Sequence, residues 1–181
     1  LPEFWMPDER YKDITVRMCL DHSSGLPGTQ WKHFSLTKLD GVDYYKEVLH
    51  YFAKSRLKDD PGAYSVYCND GFTLAEMVIA KVSGMPYEDY IMNYISEPMG
   101  AHSSRLSPRI KKDYPLVSEM KKPRELLLVQ GAGGITTNMI DLTKFGQLFL
   151  EENKKKLLAG TRKKTNLDDL FDQMKAASLA A

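Results

Sequence analysis

Apolar residues recur at helical spacing along most of the chain as far as Leu150, and the two-residue alternation of a half-buried strand is almost missing. Tyr45, Val48, Leu49 and Phe52 form one stripe within Tyr44 to Leu57, a segment that Asp43 is placed to cap. Ile14 to Leu20 is a shorter apolar segment behind Asp13, whose carboxylate can accept first-turn donors in the same way. Phe72 to Val82 carries apolar side chains on nearly every side, which predicts a central, buried helix. Ser83-Gly84 stops it; Pro86 restarts a helix with Tyr87, Ile91, Tyr94 and Ile95 on one side, and Pro98-Met99-Gly100 ends that one. The last clear stripe, Leu142, Phe145, Leu148 and Phe149, predicts an inward-facing helix over Ile140 to Glu151, capped by Thr137 or Asn138. The expectation is a mainly α structure forming a single domain over residues 1–181.

The intervening stretches are punctuated by turn formers. Residues 1–12, with two prolines and clustered charges, are expected to be a connecting segment. Ala101 to Arg124 is polar and contains Pro108, Pro115 and Pro123, which predicts a solvated irregular loop. Residues 151–181 start with a Lys-rich run, and Thr165-Asn166-Leu167-Asp168 then opens a final helical stretch.

At 181 residues, with 43% hydrophobic and 27% charged content, the chain can enclose one substantial core. Lys+Arg 25 against Asp+Glu 24 leaves a net charge of +1, which gives no electrostatic reason to expect nucleic acid or an anionic membrane as partner. No apolar run approaches the length of a membrane span, and the start carries no signal-peptide pattern. The chain opens on Leu1, so further sequence is expected upstream. Cys19 and Cys68 are too few for a disulfide framework or a cysteine-only zinc site and leave the compartment open. A zinc site built on Cys19, His22 and distant ligands competes with a buried thiol beside a loop histidine, and the second is favoured. No metal or organic cofactor is expected.

Candidate chemistry concentrates in Pro61-Gly-Ala-Tyr-Ser-Val-Tyr-Cys-Asn-Asp-Gly71. Pro61-Gly62 sets one turn, and Asn69-Asp70-Gly71 is expected to be a second, with a left-handed glycine at its end. In an extended segment Tyr67 and Asn69 share a side while Cys68 faces the other way, so a phenol and an amide can meet at one point. The alternative is that Tyr67 is a core aromatic and Asn69 a plain turn residue. His22 and Ser24 could form a hydrolytic pair, but side chains two apart in a turn more often bond the loop's own backbone. Ser35-Leu-Thr-Lys38 is a formal Ser-x-x-Lys, yet Leu39-Asp40-Gly41 follows at once and argues against the helix that would bring the amine to the hydroxyl. Gln130-Gly-Ala-Gly-Gly134 follows the apolar run Leu126 to Val129 but lacks the spacing of a dinucleotide or phosphate loop.

In order along the chain, Ile14-Thr-Val-Arg-Met-Cys-Leu-Asp-His-Ser-Ser-Gly-Leu-Pro-Gly28, Pro61-Gly62 with Tyr67-Cys68-Asn69 and Gly71-Phe72, Val82-Ser-Gly-Met-Pro-Tyr87 with Glu97-Pro-Met-Gly100, and Gly131-Ala-Gly-Gly-Ile135 resemble the serine β-lactamase-like family of class C β-lactamases, DD-peptidases and related esterases. The resemblance covers about Leu1 to Leu150 and implies the helical lobe of a two-lobe α/β fold with most of the sheet missing. It also implies a serine hydrolase acting on amide or ester bonds through an acyl-enzyme. Tyr67 would manage the nucleophile's proton together with a lysine, Asn69 would hold the substrate amide, and Ala132, Gly133 and Gly134 would line the rim. In the family the nucleophile precedes the loop matched by His22 to Gly28, so Ser35 lies on the wrong side of it, and the family's later Lys/His-x-Gly is absent. The chain alone is therefore expected to be inactive. The implied partner is a small-molecule or peptide substrate of the full-length parent. The resemblance favours a bacterial cell-envelope or secreted location, with the cytoplasm left open. A non-catalytic helical binding or scaffold module is the competing reading, separated from the first by whether the parent gene carries the two missing motifs.

Overall fold

The computed structural model describes residues 1–32, 35–36, 43–106 and 126–150. In chain order these form α1 (Val16–Leu20), β1 (Ser35–Leu36), α2 (Tyr44–Phe52), α3 (Asn69–Ser83), α4 (Tyr87–Ile91), β2 (Arg105–Leu106), β3 (Leu126–Leu127), α5 (Gln130–Gly133), β4 (Ile135–Thr136) and α6 (Met139–Gln147). A 3-10 turn, Glu9–Asp13, precedes α1, and a π-type segment, Met92–Ser96, continues α4. Helices dominate the described residues. The strands are two antiparallel pairs of two residues each, β1 with β3 and β2 with β4.

Capping residues fix where the helices begin. Asp43 accepts from the Lys46 amide at the head of α2, as the sequence predicts, and Asn138 accepts from the Asp141 amide at 2.8 Å at the head of α6. For α1 the cap is Thr15, which accepts from the Met18 amide at 3.2 Å. Asp13 instead ends the 3-10 turn, whose own cap is Asp8. Gly84, with φ of 70°, closes α3 in the left-handed conformation that glycine adopts without steric cost.

The core gathers Cys19 from α1, Tyr44, Val48 and Phe52 from α2, Cys68, Leu74 and Met77 on and just before α3, and Met6, Leu26, Leu57 and Val129 from the connecting loops. The opening segment contributes more than a connection: Met6 is fully buried, and Phe4 packs edge-on against Phe52 with ring centroids 5.4 Å apart. Arg10 anchors this segment, bonding Asp8, Asp60 and the Leu57 carbonyl. Its guanidinium holds the Asp8 carboxyl down at about 2.

Three expectations need correction. The helix after Gly71 is enclosed over its first half, where Thr73, Leu74, Glu76 and Met77 are all buried, but its end emerges from the core and Val82 is 83% exposed. The α6 stripe does not face inward as a unit, since Leu148 is buried but Leu142 and Phe149 are about half exposed, and the most enclosed residue of α6 is Asp141. Asp141 is drawn inside because its carboxylate accepts from the Ser103 amide at 2.8 Å and from the Ser104 hydroxyl at 3.2 Å. Those partners lie just before β2. Ala101 to Leu106 is thus not a solvated loop: Ala101, Ser104 and Leu106 are buried, and β2 pairs Arg105 with Thr136 and Leu106 with Ile135. The remainder of the expected loop and the expected helical stretch after Thr165 lie outside the described residues.

Candidate active site

A groove of about 310 Å³ opens where the loop after α1, the loop leading into α3 and the α5 segment converge. It is lined by His22, Tyr67, Asn69, Phe72 and the run Gln130 to Ile135. The Tyr67 wall is built by two loops zipped through their backbones: the amides of Lys58, Gly62 and Val66 donate to the carbonyls of Gly25, Ser23 and His22 at 2.9, 2.7 and 2.9 Å. Extended backbone then carries Tyr67 outward and Cys68 inward. Cys68 is 1% exposed in the core, while Tyr67 is 67% exposed and its hydroxyl donates to Asn69 Oδ1 at 2.7 Å. That bond leaves the Asn69 amide group as a donor.

Asn69-Asp70-Gly71 is not the turn expected from its composition. It forms the first turn of α3, and Gly71 is absent from the positive-φ glycines. Gly71 is needed for a different reason: a Cβ there would lie 3.0 Å from the Cys19 carbonyl oxygen and 3.3 Å from the Cys19 Cα. The small residue lets α3 settle on α1, which brings Asn69 against the groove.

His22 occupies the left-handed region with φ of 63°, unusual for a non-glycine residue. Its Nδ1 accepts from the Cys68 amide at 3.2 Å, and its ring lies 4.7 Å from Tyr67 and 5.2 Å from Phe72. Ser24 is buried and accepts from the Leu26 amide at 3.4 Å. Both side chains are thus engaged with loop backbone. Ser35 pairs with Leu127 across β1 and β3, so it stands in a strand and not at a helix N-terminus; Lys38 lies outside the described residues.

Ala132, Gly133 and Gly134 sit on the groove's opposite rim, so the structure brings all five candidate residues to one cavity. Sequence reading missed the group beneath them. Glu76 is 2% exposed on α3, and its carboxylate accepts from the Tyr45 hydroxyl on α2 and from the Gly131 amide at 2.7 Å. Burial pushes it up to about 7, against the two hydrogen bonds that favour its ionised form. Asp70 is fully buried and likewise pushed up to about 7; one oxygen accepts from the Gln30 amide at 2.7 Å and the other has no partner. The available signal was a lone acid seven positions after Asn69 on an otherwise apolar helix face. Among the described residues, no three His, Cys, Asp or Glu side chains converge as a metal site would require, and no helix is long and apolar enough to cross a membrane.

The sequence profile of the beta-lactamase family matches residues 1–177. The chain belongs to that family. This beta-lactamase-family chain is 26% identical over 172 residues to a penicillin-binding protein of Bacillus subtilis (strain 168), covering 82% of the chain and 38% of the relative. To a putative penicillin-binding protein, PbpX, of the same strain it is 31% identical over 147 residues, covering 76% of the chain and 36% of that protein. It therefore spans well under half the length of these curated relatives. Its fold is similar to D-amino acid amidase from Ochrobactrum anthropi SV3 (TM-score 0.61, 20% identity, covering 81% of the chain and 48% of the amidase). It is also similar to a beta-lactamase/D-alanine carboxypeptidase from Pseudomonas syringae (TM-score 0.60, 18% identity, covering 81% and 40%).

Proposed function

We propose that this beta-lactamase-family chain is the helical lobe of a serine hydrolase whose sheet and nucleophile are supplied by sequence beyond it, and that it forms one wall of an acyl-transfer site for amide or ester substrates. The observation that carries the reading is the Tyr67 hydroxyl bonded to Asn69 at 2.7 Å, facing the rim of Ala132, Gly133 and Gly134 across one groove. In the parent, a serine oxygen attacks the substrate carbonyl, the bond to the amine or alcohol breaks, and water later hydrolyses the acyl-serine. Tyr67 and a lysine relay the serine proton to the leaving group, while the Asn69 amide group donates to the substrate's carbonyl. The relatives' names, penicillin-binding protein, D-alanine carboxypeptidase and D-amino acid amidase, support β-lactams and short D-amino acid amides as the first substrates to try.

By itself the chain is inactive on this reading, because Ser35 stands in a strand. Intact-mass spectrometry after incubation with a β-lactam should show no covalent adduct, and a stoichiometric adduct on Ser35 would overturn the reading. In the full-length parent, Tyr67→Phe removes only the hydroxyl of an exposed residue and should slow acylation by ~100- to 10,000-fold with little change in melting temperature. Near-full hydrolysis by that variant, or unfolding as its main effect, would return Tyr67 to a purely structural role.

A further inference from the structure

Between α3 and the groove's glycine rim lies a contact that the acyl-transfer reading does not use. We propose that Glu76 is the positioning residue of the groove: its ionised carboxylate, held from behind by Tyr45, fixes the Gly131 amide and so sets the Gly131–Gly134 rim at its distance from Tyr67 and Asn69. The inference rests on the reading of the groove as the substrate site.

Geometry carries the argument. Gly131 approaches α3 so closely that a Cβ on it would lie 2.9 Å from the Phe72 carbonyl oxygen and 3.0 Å from Glu76 Cβ. No side chain fits there, and the backbone meets α3 through one direct hydrogen bond to Glu76 Oε2. Phe72, on the same turn as Glu76, lines the groove together with the rim, so a shift of Gly131 changes the groove's width directly. The other carboxylate oxygen is taken by the Tyr45 hydroxyl, so each oxygen faces a donor. An ionised carboxylate accepts on both sides. A protonated one donates its proton to the Tyr45 hydroxyl, which turns from donor to acceptor, and leaves the Gly131 amide bonded to an uncharged oxygen, a weaker acceptor than a carboxylate.

The titratable groups facing Glu76 are phenols: Tyr44 and Tyr45 from α2 and Tyr87 from α4. Burial pushes all three phenols up, Tyr87 to about 12, helped by the Asp70 and Glu76 carboxylates at Tyr44 and by Glu76 at Tyr45 and Tyr87, so none changes charge in the neutral range. From α5 the facing group is the Gly131 amide itself. With Glu76 near 7, the anchor is made above neutral pH and weakened below it.

The test follows the Gly131 amide by proton–nitrogen correlation spectroscopy on the chain from pH 5.5 to 8.5. A hydrogen bond to a carboxylate moves an amide proton downfield. Gly131 should move downfield as pH rises, in one step centred near pH 7; Glu76→Gln should abolish the step, and His22→Asn, across the groove, should leave it in place. Tyr45→Phe removes a bond that favours the ionised form and should move the midpoint to higher pH. A Gly131 resonance that does not titrate, a step that survives in Glu76→Gln, or an unchanged midpoint in Tyr45→Phe would each overturn the anchor. Should Glu76→Gln fail to fold, the Tyr45→Phe midpoint still decides. The outcome is independent of catalysis: a parent without hydrolytic activity would sink the proposed function and leave the anchor standing, whereas a silent Gly131 in an active parent would do the reverse.

Discussion

Raising the pH from 5 to 8 should destabilise this protein, and the buried acids set how much. Glu76 and Asp70 have ordinary values of 4.5 and 3.8, and burial carries both to about 7 in the folded state. Between those limits the unfolded chain has ionised both groups while the folded chain still holds their protons, so stability falls as pH rises through the window. It is fully present below about pH 4 and has been lost by the time pH passes about 7. Shifts of this size correspond to roughly 3 kcal/mol for Glu76 and about 4 kcal/mol for Asp70 as ceilings, at ~1.4 kcal/mol per pH unit. Asp8 acts with the opposite sign: Arg10 holds it at about 2, so its contribution is present above about pH 4 and lost as pH falls through 2. The stability maximum is therefore expected near pH 4 to 5. Urea unfolding followed by circular dichroism at pH 5, 6, 7 and 8 measures this. A loss of ~3 kcal/mol, at ~1–3 kcal/mol per molar urea, lowers the midpoint by at least ~1 M between the ends of the series. Glu76→Gln and Asp70→Asn should each flatten the profile. A midpoint that stays constant or rises with pH would refute the reasoning, because burial would then not be what governs these carboxyls.

Gly71→Ala should destabilise although alanine favours helix by ~1 kcal/mol, because the new Cβ presses on the Cys19 backbone and overpacking costs ~1–3 kcal/mol; a rise in melting temperature would contradict the close α1–α3 approach. Gly131→Ala should displace the rim without unfolding the core, read as loss of the downfield Gly131-region amide shift with an unchanged far-ultraviolet spectrum. Asn138→Ala should cost about 1 kcal/mol by removing the α6 cap, and an unchanged urea midpoint would mean that α6 does not unfold with the rest.

Local information was sufficient wherever a feature depends on neighbours in the chain. Asp43, Asn138 and Gly84 mark helix ends because capping involves residues within one turn, and Tyr67 meets Asn69 because extended backbone puts alternate side chains on one side. The ordered motifs identified the family for the same reason: they are short and contiguous. What sequence could not settle depended on which segments meet. Asn69-Asp70-Gly71 has the composition of a turn, yet it is helical because packing on Cys19, distant in sequence and adjacent in the fold, rewards a glycine there. Leu142 and Phe149 follow a helical stripe, but Ser103 and Ser104 draw Asp141 inward and rotate that stripe toward solvent. Glu76 looks like a surface acid on an apolar helix until tertiary contact encloses it, and only then do desolvation and the Gly131 amide give it a role. Burial is a property of the assembled core, so a carboxyl's charge state and the shape of the groove it supports were decided by the tertiary structure alone.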